Sequence, residues 1–310
     1  MQSGPSPREE GHLYPIRTVA TLTGVNPVTL RAWERRYGLV RPRRTGKGHR
    51  LYSADDIERV RRIVDMLGEG IPVSRVATAL AAPPGMEREE RPSEVPAEIA
   101  DVWEGYRARM LDAVARFAEA PLDAVYSEAL SLYPVDVVTT RLICPVLAAL
   151  GARWSEREAG IAEEHFFGVY LRNKVGARFH HLSTQASGPR LVAACLPGER
   201  HETGLLLFSL SAAARGYRPI LLGADLPLEQ VAMVAARTGA RAVVLSGSVE
   251  PAPEVLATAL PALTAGVRVP VLVGGPVSVR HRARIEAAGA MALGQAIQTA
   301  LARIDQAVTG

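Results

Sequence analysis

The hydrophobic period of the chain changes at about residue 190, and this change limits the fold more than any other feature of the sequence. Short apolar runs at 191–195, 219–223, 242–247 and 269–275 alternate from there with segments of helical pattern. Apolar runs of this length suit strands buried on both faces. Strand–helix–strand alternation then sets them side by side in a parallel sheet covered by helices. Right-handed crossovers are expected in such units. Loops at the carboxyl ends of the strands are where open sheets of this kind bind ligands.

The preceding span differs. Between 98 and 185 the pattern is helical, with helices expected over 98–117, 121–132, 134–150 and 160–182. Four helices with short connections suggest an antiparallel bundle. Just upstream, AAPPGMEREERPSEVP (81–96) mixes prolines with dense alternating charge and cannot bury a core, so 83–97 reads as a linker. Residues 1–12 read as a disordered tail and 13–82 as a small separate domain. The expected architecture is therefore multidomain, α and α/β. It runs from a helix-turn-helix unit through a four-helix bundle to a Rossmann-like parallel sheet at 188–305, with helices on both faces. A chain of 310 residues can hold three such units, and 48% hydrophobic with 22% charged residues is ordinary for globular proteins. No stretch reaches about 18 uninterrupted apolar residues, so no membrane partner is expected. The N-terminal MQSGPSPREEGH lacks the apolar core of a secretion signal. Cys144 and Cys195 read as small buried hydrophobes in a reducing cytoplasm.

Charge is distributed unevenly. Net charge is +4, yet Arg31–Arg50 holds eight cationic side chains against one acid, Glu34. Clustered charge of this kind suits a phosphate backbone. A short helix is expected over Ile16–Leu22, with Gly24 supplying a tight turn. Asn26 followed by Pro27 then opens a second helix: a capping side chain, and a residue pre-set for the first turn. This is a helix-turn-helix pattern. Arg31 and Arg35 stand four apart on one face of the second helix, in reach of base edges or phosphates. Trp33 is either a core anchor or a DNA contact. The basic, glycine-punctuated RPRRTGKGHRLY (41–52) reads as a β-wing, and Ser53 with Asp56 as a capping box opening another helix. The string TGVNPVTLRAWERRYGLVRPRRTGKGHRLYS resembles the MerR family over residues 13–82. The resemblance implies a winged helix-turn-helix that binds double-stranded promoter DNA as a dimer. It puts Arg31, Arg35 and Tyr37 in or just after the recognition helix, and Arg43, Arg44, Arg50 and Tyr52 in the wing.

After the first expected strand comes LPGERHETG (196–204), which contains Glu199-x-His201-x-x-Gly204. An imidazole in that loop can ligate a metal while a nearby acid orients its other nitrogen. A surface or capping histidine is the plainer alternative. The motif resembles that of cobalamin-binding domains, in which the histidine is the lower axial ligand to cobalt. It brings Glu199, Arg200, His201 and Gly204 to the cofactor. Ser246-Gly247-Ser248 resembles the Ser-x-Leu loop around the nucleotide tail, with serine in place of leucine. Gly274-Gly275 falls where a second tail-facing turn belongs. In the helical span, Trp154 is followed by nine residues and then Glu164-His165, which resembles the signature of the CarH-type cobalamin photoreceptors. Ile161, Glu164 and His165 share one helix face. The likeness implies that they, with Trp154, cap the corrin from above.

This resemblance covers about 13–303. It implies a repressor in which adenosylcobalamin sets the oligomeric state, dimer or tetramer, and light releases DNA; no enzymatic activity is expected. One position departs from the family. Ser155 stands where these photoreceptors often have a histidine that captures cobalt after photolysis, so the usual bis-histidine light product is not expected unless His165, His180 or His181 substitutes. A corrinoid carrier subunit of a methyltransferase would share the bundle, sheet and histidine. A MerR regulator switched by a protein partner would need no cofactor.

Overall fold

The computed structural model describes residues 12–81, 97–152, 159–184 and 186–309. The expected tail and linker, apart from His12 and Ala97, lie outside the described residues, as do Trp154 and Ser155.

The N-terminal unit runs β1 (Tyr14–Pro15), α1 (Ile16–Thr23), α2 (Pro27–Ala32), a π-helical turn Trp33–Tyr37, β2 (Arg43–Arg44), β3 (Arg50–Tyr52), α3 (Ala54–Gly68) and α4 (Val73–Ala81). Its punctuation follows from local chemistry. Gly24, at φ 71°, closes α1 with its N–H on the Ala20 carbonyl. Asn26 Oδ1 accepts from the amides of Val28 (2.8 Å) and Thr29 (2.9 Å), a cap worth about 1 kcal/mol. Ser53 and Asp56 cap α3 reciprocally. The three strands form an antiparallel sheet in the order β1-β3-β2.

The bundle comprises α5 (Ala97–Ala115), α6 (Glu119–Leu132), α7 (Val135–Val138), a π-helical turn Thr139–Ile143, α8 (Cys144–Ala152) and α9 (Gly160–Ser183). Val135–Ala152 is, among the described residues, the one helical stretch long and apolar enough by composition to cross a membrane. Here it is the bundle's inner helix, with Val137, Val138, Leu142, Ile143, Val146 and Leu150 buried. Cys144 falls off that stripe and is exposed, which corrects the expectation of a buried thiol; Cys195 is buried.

The C-terminal unit runs β4 (Arg190–Cys195), α10 (Thr203–Ala214), β5 (Arg218–Gly223), α11 (Leu228–Thr238), β6 (Ala242–Ser246), α12 (Leu260–Gly266), β7 (Val271–Gly274), α13 (Pro276–Arg280), α14 (Arg282–Ala287), β8 (Met291–Gly294) and α15 (Ile297–Thr309). The five strands are all parallel, in the order β5-β4-β6-β7-β8. Val192, Val243, Leu245 and Val273 point into one core layer, and Leu191, Val244 and Leu272 into the other against α10 and α15. The fifth strand was not among the expected runs: it has four residues, and Met291 is exposed, so it gives no continuous apolar signal.

One buried cluster extends from the N-terminal unit through the bundle to Leu206, Leu207 and Leu210 of α10. Trp33 is fully buried within it and donates its indole N–H to the Leu132 carbonyl at 2.9 Å. The Thr29 hydroxyl donates to the Leu130 carbonyl (3.3 Å), and Arg141 donates to the Gly68 carbonyl (2.6 Å). Of the two roles open to Trp33, the structure gives it that of core anchor. Trp33→Ala is expected to cost about 3–5 kcal/mol of unfolding free energy, and Trp33→Phe, which keeps most of the ring but orphans the Leu132 carbonyl, about 1–2 kcal/mol. Denaturant midpoints of the two variants check this.

Candidate cofactor and DNA sites

The sheet reverses its winding at β4: β5 lies on one side and β6 on the other. Loops leaving the carboxyl ends of β4 and β6 therefore open a crevice at the switch point, the usual ligand position in such sheets. The loop after β4 carries Glu199 and His201. The Glu199 side chain is 2% exposed and that of His201 64%. Glu199 Oε1 accepts from the His201 amide and lies 2.7 Å from His201 Nδ1. Its Oε2 accepts from the Ser248 amide (2.5 Å), the Ser248 hydroxyl (2.6 Å) and the Val249 amide (3.0 Å). Burial alone would raise this carboxyl. The donated hydrogen bonds, led by the Ser248 hydroxyl, outweigh it and bring the pKa down to about 2. An ionised Glu199 holds the proton of His201 on Nδ1, so Nε2 is left with its lone pair for a ligand.

Beneath the loop, Cys195 Sγ lies 3.8 Å from the His201 carbonyl. Burial, then the charges of Glu199 and Glu202, push this thiol up to about 12. It stays protonated and donates.

The turns after β4, β6 and β7 press together through glycine. Gly275 has φ 87°, and a Cβ there would sit 2.5 Å from the Gly247 carbonyl oxygen. A Cβ at Gly247 would sit 2.8 Å from Leu196. Gly274 has ordinary clearance, so Gly275 is the constrained member of the pair. Gly204, exposed near the start of α10, would meet only the Ser246 hydroxyl, at 3.6 Å. The crevice floor beside His201 is thus low and made largely of backbone, as a broad flat ligand requires. Arg200 is exposed at its edge.

At the start of α9, Ile161 and His165 are exposed and Glu164 is half-buried. Glu164 and His165 make no hydrogen bond or ion pair with the His201 loop. His180 and His181 lie in the last turn of α9, where cations suit the helix dipole. Among the described residues, no three of His, Cys, Asp and Glu gather as a metal site. A single outward imidazole fits a metal that brings its other ligands with it, and the donor set therefore fits a corrin-held cobalt. Sequence reasoning found Glu199 and His201 because they are two residues apart. It assigned Ser248 to the nucleotide tail and missed its bond to Glu199, which forms only because β4 and β6 pair in register, Cys195 against Ser246.

In the N-terminal unit, Arg31 and Arg35 are exposed on the outer face of α2 and the π-helical turn, and Tyr37 is half-buried. Arg43 is exposed on the wing. Arg44 and Arg50 are both paired with Glu34, at 2.8 and 2.5 Å, and so brace the wing against the π-helical turn. Tyr52 corrects the sequence reading. Its ring is fully buried and its hydroxyl has no hydrogen-bond partner, so it serves the core of the wing and not a DNA surface. Its place opposite Tyr14 in the sheet turns it inward.

Residues 14–82 match the MerR HTH family regulatory proteins, and residues 106–178 match the B12 binding domain. The chain is 32% identical over 278 residues to the HTH-type transcriptional repressor CarA of Myxococcus xanthus, covering 89% of this chain and 91% of CarA. This chain belongs to the CarA/CarH family of transcriptional repressors. Its match to CarH of the same organism is 31% over 280 residues, 88% of this chain and 92% of CarH. The monomethylamine corrinoid protein of Methanosarcina barkeri shares the fold of the bundle and sheet. The TM-score is 0.50 at 20% identity, over 66% of this chain and 99% of that protein. The CarA/CarH-family chain is thus a DNA-binding, cobalamin-binding regulator and not an enzyme.

Because the Glu199 pKa of about 2 lies below its ordinary 4.5, the ionised carboxylate adds stability above about pH 4.5, and this is lost as pH falls toward 2. Ser248→Ala removes one donor and is expected to move the Glu199 titration upward. Carboxyl carbon shifts followed by NMR check this; a wild-type carboxyl that titrates near 4.5 contradicts it.

Proposed function

We propose that this repressor responds to adenosylcobalamin, held with His201 Nε2 as lower axial ligand to cobalt, and that cofactor state sets its oligomeric assembly and thereby its affinity for promoter DNA. The observation that carries this reading is the Glu199–His201 pair: a buried, fully hydrogen-bonded carboxylate engages one imidazole nitrogen and leaves the other facing the crevice. In this reading the three units are a DNA-binding unit at 13–82, a capping bundle at 98–185 and a cofactor-binding sheet at 188–305. Trp154, Ile161, Glu164 and His165 cover the upper corrin face. Arg200, Gly204, Ser246, Gly274 and Gly275 border the crevice, and Ser248 fixes Glu199. When bound, adenosylcobalamin supplies a Co–C bond that light can break.

The cofactor can control DNA binding only if it favours one assembly over another. A dark tetramer would present several MerR units at once, and effective concentration would then strengthen promoter binding without new contacts. The protein acts in the cytoplasm in this reading, with promoter DNA and other copies of itself as partners.

The direct test is the absorption spectrum of the protein mixed with adenosylcobalamin, recorded before and after green light. Wild type is expected to give a base-off spectrum with histidine ligation, which changes on illumination. His201→Ala is expected to lose that ligation and most of the affinity; an unchanged spectrum would remove His201 from the site.

On DNA, Arg31 and Arg43 separate by role. Arg31→Ala is expected to cost about 1–3 kcal/mol and to relax sequence preference. Arg43→Ala is expected to weaken all sequences alike and to flatten the salt dependence, because a phosphate contact releases counterions. Anisotropy titrations at several salt concentrations measure both.

A further inference from the structure

A second cavity lies far along the chain from the His201 crevice, at the seam where the three units meet. It measures about 1080 Å³ and is walled by α1 and the turn before α2, by α6 and the start of α7, and by the ends of α9 and α10. Two arginines and a histidine line it: Arg17 from the N-terminal unit, and Arg178 and His181 from the bundle. Ser127, Ser131 and Ser187 add hydroxyls, and no aspartate or glutamate is among the lining residues.

Nearby acids do not offset this charge. Asp123 is bound to Lys174 and Tyr170, Glu128 to Arg109 and Tyr106, and Asp136 to Arg215. The Nε of Arg178 is buried with no hydrogen-bond partner, and so is the Tyr126 hydroxyl. A buried guanidinium donor left unmade is costly, which makes it a place where a ligand oxygen gains most. Leu130, Val135 and Leu182 supply an apolar wall. The volume exceeds what a bare inorganic ion fills and matches an organic body of nucleotide size.

We propose that this cleft is a second ligand site, for a small organic molecule bearing a phosphate or carboxylate group. Its walls come from all three units, so a ligand there favours the arrangement in which they are docked and Trp33 is buried, a separate input from that at His201.

The test is isothermal titration calorimetry on the full chain, without DNA or cobalamin, using inorganic pyrophosphate in one arm and citrate in the other. The arms distinguish phosphate from carboxylate preference. Saturable binding of one anion per chain is expected in at least one arm, weakened about tenfold or more by Arg178→Gln and by Arg17→Gln, as loss of a charged hydrogen bond implies. Arg17 is exposed, so its variant tests the site even if Arg178→Gln fails to fold. No saturable binding in either arm overturns the proposal. So does binding that is lost in Arg43→Gln while both cleft variants bind as wild type, which would move the anion to the wing.

Discussion

The buried carboxylate of Glu199 is the interaction on which the cofactor end of this protein depends. One oxygen fixes the His201 backbone and imidazole; the other collects the Ser248 hydroxyl and two amides from the loop after β6. A carboxylate with five hydrogen-bonding partners stays ionised although it is buried. Its fixed charge sets which imidazole nitrogen keeps the proton. The glycine turns at 247 and 275 let the flanking backbone close up around it. Sheet order, loop register and imidazole orientation thus meet at one side chain.

At the other end, the N-terminal unit shares its core with the bundle. Trp33, directly after the recognition helix, is buried against α6, while Arg31 and Arg35 from the same stretch stay outside. A change in how the bundle packs is therefore felt at the base of the DNA-reading helix. α9 packs along α10, and α10 begins two residues after His201. The chain thus offers a contiguous packed route from His201 to α2, although coupling along it is a property to be measured and not one that packing alone establishes.

How much of this the sequence made legible depended on distance along the chain. Caps at Asn26 and Ser53, the turn at Gly24, and the Glu199–His201 pair join residues within three positions of each other, and their chemistry is local. Four of the five strands announced themselves as apolar runs. The bond from Ser248 to Glu199 spans 49 residues and exists only through strand pairing. Trp33 and Tyr52 carry residue types that serve a core or a DNA surface equally well. Their burial is decided by neighbours elsewhere in the fold, Leu132 for one and Tyr14 for the other. Cys144 sits in an apolar run, and only the bundle's inner stripe shows that it faces outward.

The central claim is that what happens at His201 changes what happens on DNA. The most direct measurement is the affinity of the full chain for promoter DNA in the dark, at fixed salt, with and without saturating adenosylcobalamin. The account predicts that the cofactor tightens binding by about fivefold or more, the lower end of ordinary coupling between sites. It predicts too that a chain lacking the His201 imidazole shows no such gain. Equal affinities with and without cofactor, in a protein shown by its spectrum to hold it, would contradict the account.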